Sequence, residues 1–218
     1  MEFAEVVRRR RMVRSYDPDR PVPPELVDKI VRHGLRAPSA GFAQGWGFLV
    51  LTESADRERF WTSTTEPDQG QSDQGQSDQG SAGDWLPRMR TAPVIVVCLA
   101  NKSVYLDRYA EPDKGWTDRL EAHWPVPYWD IDTGFAALLM HLSAVDTGLG
   151  SCFFGVPVSR VDPFKQAFGV PAEFHPIGAL TVGYRAVDKK SPSLRRGHRP
   201  VGDVVHHGRW AATGAGLG

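Results

Sequence analysis

Five of the seven positions from Arg8 to Arg14 are arginine, Arg8–Arg11 and Arg14, in the run "RRRRMVRSY". Guanidinium groups fork onto phosphate oxygens through paired hydrogen bonds, and several together neutralise a dianion. A solvated, exposed helix end is the other reading of such a run. A second basic cluster, Arg195, Arg196 and Arg199, lies near the far end of the chain. Lys+Arg and Asp+Glu are 26 each, so the net charge is zero. Two separated clusters on a neutral chain suggest one anion gripped from both ends. The neutrality argues against a dedicated nucleic-acid binder, which carries a clear basic excess.

The second candidate is the uncharged stretch Ala37–Trp46, "APSAGFAQGW". Ser39 offers a hydroxyl, Gln44 an amide, and Pro38 stiffens the approach. Those groups suit the edge of a flat polar heterocycle; an ordinary helix-to-strand connection is the alternative. Neither a G-x-G-x-x-G after a strand nor a G-x-x-x-x-G-K-[ST] is present, so two common phosphate grips are missing. Trp116, Trp124, Tyr128 and Trp129 read either as packing in a core or subunit interface, or as a lid that stacks an aromatic substrate. His123, His206 and His207 stand at no familiar metal-ligand spacing, so no metal site is expected. Asp130 and Asp132 read as the acidic start of a helix. Cys98 and Cys152 each sit in an apolar run and read as buried thiols of a reduced compartment.

The elements that must position these groups follow from the apolar pattern. Phe3, Val6 and Val7 predict a short N-terminal helix running into the arginines. "DPDRPVPP" breaks the chain. Pro23 and Pro24 then open a helix lined by Leu26, Val27, Ile30, Val31 and Leu35. Buried strands are expected at Trp46–Thr52 and Ala92–Ala100, with Ser54 as the N-cap of a helix between them. Asp130–Gly148 is the strongest helix, with Ile131, Phe135, Leu138, Leu139 and Leu142 as its apolar residues. Gly150–Pro157 reads as a short strand or loop, Val161–Phe168 as a short helix, and Phe174–Tyr184 as a strand. Residues 101–128 are mixed. The tandem repeat "DQGQSDQGQSDQG" cannot bury anything, so residues 65–83 are expected to form a flexible surface loop. Interleaved helices and buried strands mean an α+β or α/β class with a central sheet. The 218 residues, 41% hydrophobic, suffice for one domain, expected over residues 1–210 with a disordered tail at 211–218. No apolar stretch spans a bilayer and no signal-type leader opens the chain, so a cytoplasmic protein is expected.

Two segments together resemble the FMN-dependent nitroreductase family. "RRRMVRSY…PVPPELVDKIVRHGLRAPSAGFAQGWGFLVL" is similar to its N-terminal signature, and "YWDIDTGFAALLMHLSAVDTGLGSCFFGVP" to its central helix and the segment that follows. Three positions depart from the usual pattern. Met12 replaces a serine, Phe42 an asparagine and Gly45 a proline. The resemblance implies an α+β three-layer fold, with a mostly antiparallel sheet between helices, in an intertwined homodimer. It implies FMN as cofactor and NADH or NADPH as co-substrate. The electrons would pass to a small-molecule acceptor such as a nitroaromatic, quinone or enone. Arg10, Arg11 and Arg14, with Met12 in their midst, would hold the phosphate, and Arg196 or Arg199 would complete the grip. Pro38, Ser39 and Gln44 would edge the ring, and the backbone of Phe154 and Gly155 would approach its reactive nitrogen. Phe42, Trp124, Tyr128 and Trp129 are the substrate-side candidates. No catalytic side chain is expected, because the flavin carries the chemistry. Oxygen-dependent flavin chemistry of the dimethylbenzimidazole-synthase type, or non-catalytic flavin sequestration, are the alternatives.

Overall fold

Every residue of the run Val94–Asn101, apolar but for the final Asn101, is buried, because it forms an interior strand of a sheet covered on both faces. The computed structural model describes residues 1–66, 86–187 and 191–210. Its sheet comprises β1 (Trp46–Leu51), β2 (Val94–Asn101), β3 (Gly150–Phe154) and β4 (Phe174–Gly183), in the order β1-β2-β4-β3. All three pairings are antiparallel.

Side chains alternate across a strand, so β2 feeds two cores. Val94, Val96 and Cys98 join the core that also holds Val27 and Ile30 of helix α2 (Pro24–Gly34) and Met140 and Ala144 of helix α6 (Tyr128–Asp146). Ile95, Val97 and Leu99 face the opposite core, with Phe60 and Trp61 of α3 (Ser54–Thr64) and Phe164 of α7 (Val161–Phe168). The result is the expected α+β three-layer arrangement. Three further helices, α1 (Phe3–Arg9), α4 (Leu86–Met89) and α5 (Lys102–Ala110), complete the described set.

Three details differ from the sequence reading. The helix α5 occupies part of the stretch read as mixed; it buries only Tyr105 and so leaves little periodicity to detect. Ser54 is the first helical residue, and Glu53 takes the N-cap position without a side-chain bond. The largest correction concerns α6. Its buried face is built from Thr133, Ala136, Ala137, Met140, His141 and Ala144, not from the bulky residues. Small side chains let α2 approach closely: a Cβ on Gly34 would lie 2.7 Å from Met140 Cγ. Phe135 and Leu138 are thereby left 44% and 49% exposed, and Ile131, Leu139 and Leu142 are only partly covered.

The chain divides into two units, residues 1–188 and 189–218. All elements above belong to the first. The second carries short 3-10 turns at Pro192–Arg196 and Val201–Asp203. The repeat Asp68–Gly80 and the tail 211–218 lie outside the described residues. Among the described residues no helix is long and apolar enough to cross a membrane.

Candidate functional site

Beyond α1 the arginine run leaves the helix and travels extended along the sheet edge. Met12 forms a parallel bridge with Ser151 of β3, and Tyr16 an antiparallel one with Arg185. Val13 donates its N–H to the Ser151 carbonyl at 2.9 Å. Val13, Tyr16 and Ala92 form a small buried cluster beneath. The buried Tyr16 hydroxyl donates to the Val13 carbonyl at 2.6 Å and lies 2.8 Å from Thr181 Oγ1. A tyrosine and a valine thus nail the arginine-bearing segment to β3 and β4.

An extended segment sends successive side chains to opposite sides, and the arginines divide accordingly. Arg11 shares a small cleft with Arg9, Val13 and Arg185 near Gly148, just beyond the last turn of α6. The carbonyl end of that helix carries partial negative charge and suits cations. Arg10, half-buried, lies instead within charge range of His141. Glu5 pairs with Arg8 and Arg9, and among the described residues no carboxylate pairs with Arg10. Arg14 is half-buried and Met12 is 40% exposed.

His141 itself is buried in α6 and bonds through Nδ1 to the Ser151 hydroxyl. Burial first, and then the Arg10 charge, lower its pKa to about 4, so it is neutral at pH 7. Its Nε2 is buried and has no partner among the described residues.

The loop before β1 is held from beneath. Ala40 donates its N–H to Asp132 Oδ2 at 2.8 Å, and the Tyr105 hydroxyl donates to the same oxygen at 2.9 Å. Asp132 and Tyr105 are both buried. Asp132 therefore anchors the loop and is more than the acidic start of a helix. Burial first, and then Asp132, push the Tyr105 phenol pKa far up, so it remains a donor. The Arg108 guanidinium donates through Nε to the Gly41 carbonyl at 2.9 Å, and Asn101 donates its N–H to the Gly45 carbonyl at 2.7 Å. A Cβ at position 45 would lie 2.7 Å from the Asn101 carbonyl, which explains why glycine stands there. Gly41, Phe42 and Gln44 adopt left-handed φ values of 60°, 57° and 55°. For the two non-glycine residues that conformation costs about 1 kcal/mol each. The outcome is an open polar edge: Ser39 accepts the Gln44 N–H at 3.1 Å, while Pro38, Phe42 and Gln44 are exposed.

The loop and the arginine segment occupy opposite corners of one sheet. The loop enters β1 beside Asn101, and the arginines lie on β3 near Val182, which pairs with Val94. The segment runs outside β3, so four strand spacings, about 19 Å, separate them across the sheet, and the length of β2, about 23 Å, separates them along it. Phe154 and Gly155 are closer to the arginines, three and four residues along β3 from Ser151, at about 10 Å and beyond. The Phe154 ring turns inward and stacks on Trp61, with centroids 5.6 Å apart, and nothing lies within 4 Å of where a Cβ on the exposed Gly155 would sit.

The aromatic candidates do not form one exposed lid. Trp129 is buried against Ala100 and Tyr105. Trp124 is half-buried among Tyr105, Tyr109, Trp116 and Tyr128. Tyr128 keeps part of its surface exposed. His123 pairs with Asp118 at 2.9 Å and holds that carboxyl below its usual range. In the C-terminal unit Arg196 and Arg199 are exposed, Arg199 donates to the Asp203 carbonyl at 3.1 Å, and Trp210 stacks on His206.

Sequence reasoning missed His141, Ser151, Tyr105 and Arg108. A histidine and an aspartate on the small-residue face of an otherwise apolar helix were the only available signal.

A sequence model of the Nitroreductase family matches residues 7–184. A Methanothermobacter thermautotrophicus protein provisionally named NADH dehydrogenase/NAD(P)H nitroreductase is 26% identical over 212 residues, 96% of this chain and 88% of its own. An Archaeoglobus fulgidus protein with the same provisional name is also 26% identical, over 96% and 99%. Among solved structures, a Clostridium difficile nitroreductase family protein superposes with a TM-score of 0.68 at 21% identity, over 96% of this chain and 100% of its own. B. megaterium NfrA2 gives 0.71 at 18% identity, over 98% and 76%. At those identities the structural likeness speaks to the fold.

Proposed function

The chain belongs to the nitroreductase family, and from that premise we propose that it is an FMN-dependent oxidoreductase. It takes reducing equivalents from NADH or NADPH and delivers them to an electron-poor small molecule, a nitroaromatic, quinone or enone. The residues present fit the cofactor. Arg10 is half-buried without a carboxylate partner among the described residues, which suits a dianionic phosphate. The loop offers a hydroxyl, an amide and exposed backbone for the edge of a heterocycle. The space at Gly155 leaves its backbone approachable.

When bound, FMN supplies a ring nitrogen that accepts hydride and gives it up again. The chain's own residues bind and orient. Arg10 and Arg14 hold the phosphate, and the family pattern adds Arg196 or Arg199. Pro38, Ser39 and Gln44 fix the ring edge. Backbone dipoles at Phe154 and Gly155 would face the bound ring and supply its electrostatic setting, without a side-chain acid or base. Phe42 and the exposed part of Tyr128 form the acceptor wall.

One observation carries this reading: the arginine segment is laid along β3, the strand that ends at Phe154, next to Gly155. Phosphate grip and ring-facing amides then share one rigid scaffold. The ring-edge loop lies at the opposite corner of the same sheet, so it serves the site of a second copy. A homodimer packed through the outward stripe of α6, Phe135 and Leu138 foremost, supplies that copy.

The test is anaerobic titration of the purified protein with each pyridine nucleotide. Bleaching of bound flavin, followed by reoxidation with one equivalent of a quinone or nitroaromatic, is the expected result. A colourless protein that binds no FMN overturns the proposal. Consumption of the flavin itself in air would favour the oxygen-dependent alternative.

A further inference from the structure

Resting on the reading that the arginine segment binds phosphate, we propose that His141 is a positioning residue for that segment. It sets the placement of Arg10 through Ser151.

The connection is short and buried. His141 Nδ1 bonds the Ser151 hydroxyl, the Ser151 carbonyl accepts the Val13 N–H at 2.9 Å, and Met12 bridges Ser151. Ser151 is fully buried and His141 is 3% exposed. The serine thus faces helix α6 with its hydroxyl and the arginine segment with its backbone. Moving the imidazole moves the rail on which Arg10 and Met12 ride.

Packing alone does not account for a histidine here. Its Nε2 is buried with no partner among the described residues, and such an orphan is costly. A leucine or methionine would fill a buried position on this helix without that cost. The imidazole offers what neither can, a directional bond to Ser151. It also offers what a carboxylate could not. An aspartate or glutamate at this depth would pair with Arg10 and draw the guanidinium away from an incoming anion. A neutral imidazole fixes the strand and leaves Arg10 available. Met12 stands where the family's hydroxyl would touch phosphate, so correct placement of the arginines carries more of the grip in this chain.

The experiment measures the dissociation constants of FMN and of riboflavin, which lacks the phosphate, for the apoprotein. Flavin fluorescence quenching is the readout, and wild type, His141→Leu, Ser151→Ala and His141→Asn are compared. The asparagine keeps a hydrogen-bonding atom at the position of Nδ1. In wild type FMN binds more tightly than riboflavin. In His141→Leu and Ser151→Ala that preference falls about tenfold, the size of one misplaced charge-assisted bond, while riboflavin affinity stays within about twofold. His141→Asn restores most of the preference. Ser151→Ala removes the same bond at little steric cost, which covers the case in which His141→Leu does not fold. A parallel loss of both ligands in Ser151→Ala overturns the proposal, because a general packing defect would do that. An unchanged preference also overturns it. If wild type itself shows no preference for FMN, the phosphate reading fails first, and that outcome is distinct from the other two.

Discussion

Replacing Asp132 by alanine removes one oxygen shared by a buried donor, the Tyr105 hydroxyl, and a part-buried one, the Ala40 N–H. Oδ2 accepts the Ala40 N–H at 2.8 Å and the Tyr105 hydroxyl at 2.9 Å. Asp132 is 3% exposed and Tyr105 fully buried, so water does not readily replace the lost acceptor. A stranded donor costs about 1–3 kcal/mol; with the part-buried Ala40 N–H at the low end of that range, the two together predict a loss of about 2–4 kcal/mol for Asp132→Ala. Asp132→Asn keeps an acceptor of the same shape and loses only the charge assistance, so about 1 kcal/mol is expected. Tyr105→Phe removes one donor and leaves the carboxylate bonded to Ala40, for about 1–2 kcal/mol. Urea unfolding of the four proteins, compared at constant m-value, measures these differences. The alanine variant should also release the strained turn at Gly41–Gln44 and raise amide exchange there before the sheet is affected. A stability of Asp132→Ala within 1 kcal/mol of wild type, or equal losses for alanine and asparagine, would refute the reasoning. The first would mean that the donors find other acceptors; the second, that shape is irrelevant.

The buried His141 makes stability depend on pH. Its pKa falls from 6.5 to about 4 on folding. Between those values the unfolded chain binds one more proton, so stability declines as pH drops through that window, by about 3 kcal/mol in all. His141→Asn should flatten the curve there, as followed by thermal melts at constant ionic strength. Arg10→Ala is expected to weaken FMN by about 1.5–3 kcal/mol and to leave riboflavin nearly unchanged, as isothermal titration would register. Phe135→Asp combined with Leu138→Asp puts two charges on the outward stripe of α6; light scattering should then report the monomer mass with the far-UV spectrum intact. Burial pushes the Cys98 thiol up to about 12, so a maleimide at pH 7 should label it only after unfolding.

Several elements could be read from the chain because one run of residues suffices to specify each. Residues 94–100 have the unbroken apolar character of a strand buried on both faces, and two prolines open α2 where the helix begins. The arginine run, the polar loop and the β3 end were recognisable as residue types. Their spatial grouping was not, because the strand order β1-β2-β4-β3 alone decides that loop and arginines stand at opposite corners. The face that α6 buries was misjudged for a related reason. Hydrophobicity favours Ile131, Phe135 and Leu138, yet close approach of α2 and the sheet selects Ala136, Ala137 and Ala144.

The amino-acid sequence by itself determined the local periods, the turn points and the supply of guanidinium, hydroxyl and amide groups, since these depend on neighbours along the chain. Only the tertiary structure decided which oxygen Tyr105 and Ala40 share, which arginine comes near His141, and which apolar stripe faces outward. Those outcomes depend on residues brought together across as many as 131 positions of sequence, from Arg10 to His141. Such contacts are settled by packing many side chains at once, and no single segment encodes them.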